Sequence, residues 1–369
     1  MEETSIQLPN RSFVPTLEVN NRMKTDEQSW ANDVTSEPDS DSDEDVSGKS
    51  TKSFEAQSIE FVIENDRRYC NETYFMPNDE TEQTRLNIVH QIYLILLDGK
   101  LTTVPLVKHA PRILDIGTGT GDWAIEMSSM HPSATIIASD IGVFDNGLGN
   151  VDVPNIFFQL DDAQGEWTYH EPFDLIHLRG LSGAFANWQS VYQQAFRHLG
   201  PGGYIEIADA DPAADTLNFP HSGDSYLRIF ASAMRSAAEA SGYRRDLSHL
   251  RSSALTAAGF ADVRVQERTI PIGLWPDDPR EKTLGKMALI AVMEGLEAYS
   301  LRQLTATKKW TADAVRDLCA KVRDELMTAH RVTTRVHIVT ARKPSARKQA
   351  KERRKNEVMQ RLMQSAGQD

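Results

Sequence analysis

Between Asp115 and Asp122 the chain reads Asp-Ile-Gly-Thr-Gly-Thr-Gly-Asp, three glycines at alternate positions framed by two carboxylates. Glycine takes a positive φ at little cost and has no Cβ, so bare backbone N–H groups at Gly117, Gly119 and Gly121, with Thr118 between them, can approach a ligand closely. Chemistry of that kind binds a nucleotide-like molecule. A Walker loop is excluded, because the Gly-Lys-Ser/Thr ending is missing. The run Gly119-Thr120-Gly121-Asp122-Trp123-Ala124 does fit the G-x-G-x-x-A of a dinucleotide site. Two carboxylates at the turn, however, repel a pyrophosphate and favour a cation.

The elements that must position this loop are readable around it. Ile113–Ile116 is a short apolar run of the buried-strand type, and Trp123, Ala124 and Met127 follow at helical spacing. Strand, glycine turn and helix start bring a helix N-terminus to the ligand. A second apolar run, 135–139, ends in Asp140 about 25 residues after Asp115, near the offset at which a carboxylate meets ribose hydroxyls. A cationic nucleoside without phosphate is S-adenosylmethionine, and that is the cofactor expected here. An oxidoreductase on a similar fold is the alternative.

The run Asp115–Gly121 resembles motif I of class I S-adenosylmethionine-dependent methyltransferases. Extended to Ile125, it resembles the LaeA-like fungal branch, D-[IV]-G-T-G-T-G-I-W-A-I, from which this chain departs at Asp122. Leu199-Gly-Pro-Gly-Gly-Tyr-Ile-Glu206 is similar to a further class I signature. Arg67-Arg68-Tyr69 and the segment Tyr74 to Glu80 resemble that branch's R-R-Y and Y-x-x-P-N-D-x-x-E, which implies a lid over the cofactor that includes Tyr69 and Tyr74; packing aromatics are the plainer reading. The resemblance also implies that Asp162 and Ala163, after the run 156–160, meet the adenine, with Asp161 less favoured. Pro271-Ile-Gly-Leu-Trp-Pro276 is similar to the family's link into a helical insert.

Further apolar runs at Phe173–Arg179, Tyr204–Ala208, 263–272 and 332–341 alternate with helical patterns, among them Thr84–Leu97 closed by Gly99, 188–199, 250–258, 281–304 and 311–330. This order predicts an α/β fold with a doubly wound sheet, and the class I resemblance implies a seven-stranded Rossmann-like methyltransferase sheet whose last two strands pair antiparallel. The expected organisation is a disordered acidic tail over 1–55, a helical lid segment over 56–110, a cofactor-binding core over 111–275, a helical insert over 276–331, the last strand over 332–344 and a basic tail over 345–369. The insert either roofs the substrate pocket or only packs.

Methyl transfer from a sulfonium needs the two ligands held in line with solvent excluded, and a base only when the acceptor is a hydroxyl. His177, Asp209 and Asp211 are the candidate bases, with a satisfied structural histidine the plainer reading of His177. Arg179 either positions a carboxylate-bearing acceptor or forms an ordinary ion pair. No Asn/Asp-Pro-Pro-Tyr motif follows the fourth strand, which disfavours amino methylation of bases or glutamine.

The net charge of −13 argues against general nucleic-acid binding. Cys70 and Cys319 form no C-x-x-C pair, so neither a disulfide scaffold nor a zinc site is expected. The polar start Met1-Glu2-Glu3-Thr4 gives no secretory signal, and the apolar runs fall short of the ~20 residues of a membrane span. The expectation is a cytoplasmic or nuclear protein. Its methyl acceptor is a small secondary metabolite or a protein. The alternative is a nuclear regulator of secondary metabolism and development that works through protein partners. Ser40 and Ser42 in the acidic tail and the lysines and arginines of 342–355 are where such partners or import factors would act.

Overall fold

In the computed structural model the apolar runs become strands of one sheet, and the described residues are 61–144, 153–210 and 225–345. Both charged tails beyond those bounds, and Asp211, lie outside them. A small hairpin comes first, β1 (Val62–Glu64) and β2 (Arg67–Tyr69), then α1 (Glu80–Leu96). The core follows: β3 (Arg112–Ile116), α2 (Asp122–Met130), β4 (Thr135–Asp140), β5 (Ile156–Leu160), β6 (Phe173–Arg179), α3 (Trp188–His198) and β7 (Leu199–Asp209). After these come α4 (Tyr226–Ser241), α5 (Ser252–Ala257), β8 (Ala261–Pro271), α6 (Pro279–Ala306), α7 (Ala312–Thr328) and β9 (Thr333–Arg342).

The seven-stranded sheet runs β5-β4-β3-β6-β7-β9-β8. Strands β5 to β7 pair in parallel, whereas β9 is antiparallel to both β7 and β8. Chain order reverses between β3 and β6, and it is outside the carboxyl ends of strands at such a switch that ligands bind in open α/β sheets. Ile113 and Leu114 of β3 and Leu175, Ile176 and Leu178 of β6 are fully buried, as central strands covered on both faces must be. Each such side chain contributes about 1.5–3 kcal/mol by leaving water.

The helices start where side chains satisfy their first N–H groups. Asp79 accepts from Glu82 N at α1, Asp278 from Glu281 N at α6 ahead of Pro279, and Thr311 from Ala314 N at α7. Helix α2 is different: Gly121 stands at its cap position with φ 82° and no side chain caps it. Its first N–H groups have no side-chain acceptor at the cap.

Three local expectations change. The segment ahead of α1 is not wholly helical, because Asn65 and Asp66 adopt φ 52° and 64° and turn the chain into the β1–β2 hairpin. The fifth core strand begins at Leu199, not Tyr204, with the Gly-Pro-Gly-Gly run absorbed as an irregularity in its pairing with β6. Helix α1 is capped at Leu97, and Gly99, at φ 77°, closes the turn beyond it through a bond from its N–H to Leu94 O (2.7 Å).

Candidate active site

The glycine loop is held against the ends of β3 and β4 by its own backbone. Gly117 N donates to Ser139 O (2.8 Å), Thr118 N to the same oxygen (3.1 Å) and Gly121 N to Thr118 O (3.0 Å). Gly117 and Gly119 adopt φ 68° and 58°, where a Cβ is strained. At Gly117 a Cβ would also stand 2.5 Å from Leu181 Cδ2, so this glycine serves close packing of the loop on the turn after β6.

Asp140 ends β4 and locks the loop from the other side. Its Oδ2 accepts from Gly119 N (2.8 Å) and its Oδ1 from Gly142 N (2.9 Å). Burial pushes its carboxyl up to about 6, against the pull of those two N–H donors. Each oxygen keeps a lone pair for a further donor.

At the switch point, Asp115 of β3 and His177 of β6 are register partners, and His177 Nδ1 lies 2.7 Å from Asp115 Oδ1. The carboxylate accepts, so the proton sits on Nδ1. Trp123 of α2 stacks flat on the imidazole at 3.8 Å and 2°, with its own Nε1 donating to Leu101 O (2.7 Å). This packing holds the ring in one orientation.

These groups wall one cavity of about 530 Å³. Asp115, Gly117, Thr118, Gly119, Asp140, Asp162, Ala163, Tyr74 and His177 all line it. Three of the residues expected to act there do not. Gly121 closes the turn and caps α2 instead of facing the ligand space. Tyr69 is fully buried beneath the guanidinium of Arg302, 3.5 Å from its ring centre, and bridges to Pro77, so it packs the lid segment in place. Asp209 is fully buried with both oxygens engaged: Oδ1 accepts from Leu181 N (2.7 Å) and Ser182 N (3.3 Å), and Oδ2 lies 2.7 Å from His249 Nε2. It fixes the turn after β6 and lies off the cavity wall.

Glu82 and α4 were not foreseen on the wall, which the lid segment and the α6 insert also line. Tyr74, Phe75 and Met76 cover one side, and burial raises the Tyr74 hydroxyl far above the usual phenol range. Glu82 of α1 reaches the cavity as a buried ion pair with Arg85 (2.6 Å). Leu227 and Phe230 of α4, with Ala288, Ala291, Val292 and Leu296 of α6, close the far end. The signal for α4 was present: Leu227, Phe230, Met234, Ala237 and Ala238 recur at helical spacing and are all buried.

Comparison with known proteins now bears on this geometry. A family model described as a methyltransferase domain matches residues 79–264. Methyltransferase pytC of Aspergillus terreus is 32% identical over 256 residues, 69% of this chain and 78% of that protein. Secondary metabolism regulator LAE1 of Cochliobolus heterostrophus is 34% identical over 281 residues, covering 73% of this chain and 90% of that protein. Secondary metabolism regulator laeA of Monascus pilosus is 31% identical, covering 73% and 74%. The chain belongs to the LaeA-like methyltransferases.

As a LaeA-like methyltransferase it uses S-adenosylmethionine, and the cavity fits that molecule. The Thr118 hydroxyl is buried without a partner on the cavity wall. Asp115 and Asp122 supply negative charge beside a cation's place, and the glycine loop carries no lysine or arginine for a phosphate. The Asp122 departure is accommodated inside the fold, its Oδ2 accepting from Thr120 Oγ1 (2.8 Å) and, once the Asn87 amide is oriented to suit, from Asn87 (2.8 Å).

Proposed function

We propose that this methyltransferase modifies a small, largely apolar molecule enclosed in the cavity, and that Asp140 takes the cofactor's ribose hydroxyls while Asp162 and Ala163 take its adenine. The observation that carries the reading is continuity. The glycine loop and the apolar wall of α4 and α6 line one continuous cavity of about 530 Å³, a volume within the range of small-molecule sites. The bound cofactor supplies an electrophilic methyl group on a sulfonium. The chain's own residues orient the ligands and exclude water. His177, held through Nδ1 by Asp115, keeps Nε2 as a proton acceptor for a hydroxyl on the acceptor. Arg302 closes the lid: its Nη1 donates to Asn71 O (2.6 Å) and Tyr74 O (2.8 Å), and its Nε pairs with Glu64 (2.8 Å), tying β1 and the lid aromatics to α6.

The test is incubation of the purified chain with methyl-labelled cofactor and a host extract split into small-molecule and protein fractions. Label is expected in the small-molecule fraction, and label confined to protein overturns the reading.

A second reading is favoured by two of the relatives, which are named as regulators of secondary metabolism. In it the chain binds cofactor and acts through regulatory protein partners in the nucleus. It requires a fluorescent fusion to enter the nucleus, and to lose that localisation or a co-purifying partner when 345–369 is removed. A signal that stays cytoplasmic with and without the segment rejects it.

A further inference from the structure

Arg179 ends β6, beside Ala208 of β7, and stands on the cavity wall. One of its N–H groups, on Nη2, donates to His90 Nδ1 (3.0 Å), and its guanidinium carbon lies 4.9 Å from the centre of the Tyr93 ring. Burial, then the guanidinium itself, hold His90 below its ordinary range, so His90 meets Arg179 as a neutral acceptor and contributes no negative charge. Its other nitrogen faces Glu126 at 3.3 Å.

Two other cations on this wall are neutralised within the protein, and a third, Arg245, lies over the rings of Phe75 and Tyr299. Arg85 pairs with Glu82 (2.6 Å) and Arg302 with Glu64 (2.8 Å). No described carboxylate forms an ion pair with Arg179; Asp115, Asp122 and Glu126 act on it only at longer range. A guanidinium has five N–H donors, and His90 takes one, which leaves four without a described protein partner. A half-buried guanidinium on a cavity wall, with donors left over, is placed to meet an anion.

We infer that Arg179 is the anion-receiving residue of the cavity and that its fork takes the carboxylate of a bound ligand. A guanidinium presents paired donors that match the two oxygens of a carboxylate. Strands β4 and β6 stand two places apart across β3, about 10 Å at the usual strand spacing. That separation suits a ligand whose sugar is held at Asp140 and whose opposite end carries a carboxylate. Two ligands offer one: the amino-acid tail of the cofactor, and an apolar acid bound as acceptor against α4 and α6. The inference rests on the methyltransferase reading of the cavity.

Calorimetry on the full chain and on Arg179→Met separates the cases. S-adenosylhomocysteine is titrated first, then its decarboxylated analogue, and last 2-naphthoate into protein saturated with S-adenosylhomocysteine. If the cofactor carboxylate is the partner, the variant binds S-adenosylhomocysteine about tenfold or more weakly, as expected for lost charge-assisted bonds, and binds the decarboxylated analogue unchanged. If the acceptor carboxylate is the partner, S-adenosylhomocysteine binding holds and 2-naphthoate binding, present in the parent, is lost. Unchanged binding of the decarboxylated analogue also shows that the variant is folded. Affinities for both carboxylates within about twofold of the parent overturn the inference. Failure of the parent chain to bind S-adenosylhomocysteine strikes the cofactor reading instead, so the two failures are distinguishable.

Discussion

The two ends of the cavity are built by different means. The cofactor end is made of consecutive sequence: β3, its glycine loop and the start of α2, with one carboxylate from the end of β4. Its geometry is fixed by backbone hydrogen bonds and positive φ values, which depend on residue type at single positions. The acceptor end is made of side chains from α1, α4 and α6, far apart in the chain, whose apolar bodies pack against one another. The first end tolerates little change and is suited to one ligand. The second can be re-lined without disturbing the first.

Four changes break or sharpen that contrast. The largest effect is expected for Gly119→Val, which places a β-branched residue at φ 58° and moves the N–H that Asp140 accepts. Cofactor binding should fall below detection in calorimetry, and retained binding would misplace the loop. Asp209→Ala removes the carboxylate that ties the turn after β6 to His249, and breaking such a buried pair costs about 3–5 kcal/mol. A thermal melt should show a drop of many degrees, and the parent melting temperature would return Asp209 to the list of candidate bases.

Asp140→Asn should weaken S-adenosylhomocysteine about tenfold, by loss of charge-assisted bonds to the ribose. In the parent chain the Asp140 carboxyl titrates near 6, above the ordinary carboxylate range. Above pH 6 it is ionised and accepts fully, and below that pH affinity should fall. The sign for stability is opposite. The folded state holds this proton more tightly than the unfolded chain, so Asp140 alone makes the ligand-free protein less stable as pH rises from about 4 to 6. Affinity flat across pH 5–8 in the parent chain would remove Asp140 from the ribose. The smallest effect on the cofactor is expected for Ala291→Trp, which fills the space at α6. Methyl transfer should be lost while S-adenosylhomocysteine affinity stays within about twofold, and a parallel loss would mean the two ends are one site.

The cofactor end was open to reading because local rules produce it. Asp115, the alternating glycines and the acid ending β4 stand at spacings that backbone geometry demands. Other positions could not be placed from sequence because residue type is silent about direction. Asp209 and His177 end or lie on neighbouring strands, yet one carboxylate is turned into the turn after β6 and the imidazole lies on the cavity wall. Tyr69 and Tyr74 lie five residues apart, and only Tyr74 reaches the cavity.

What the sequence alone determined is the strand-loop-helix unit, the alternating β and α order and the negative charge at the cofactor's place, because short-range sterics and hydrophobic period suffice for these. Tertiary structure decided which end of the cavity each helix closes, which arginines are neutralised and which carboxylates remain available. Those are properties of pairs of residues distant in the chain, such as Arg302 with Glu64 or Asp209 with His249, and such pairs exist only once packing has brought them together.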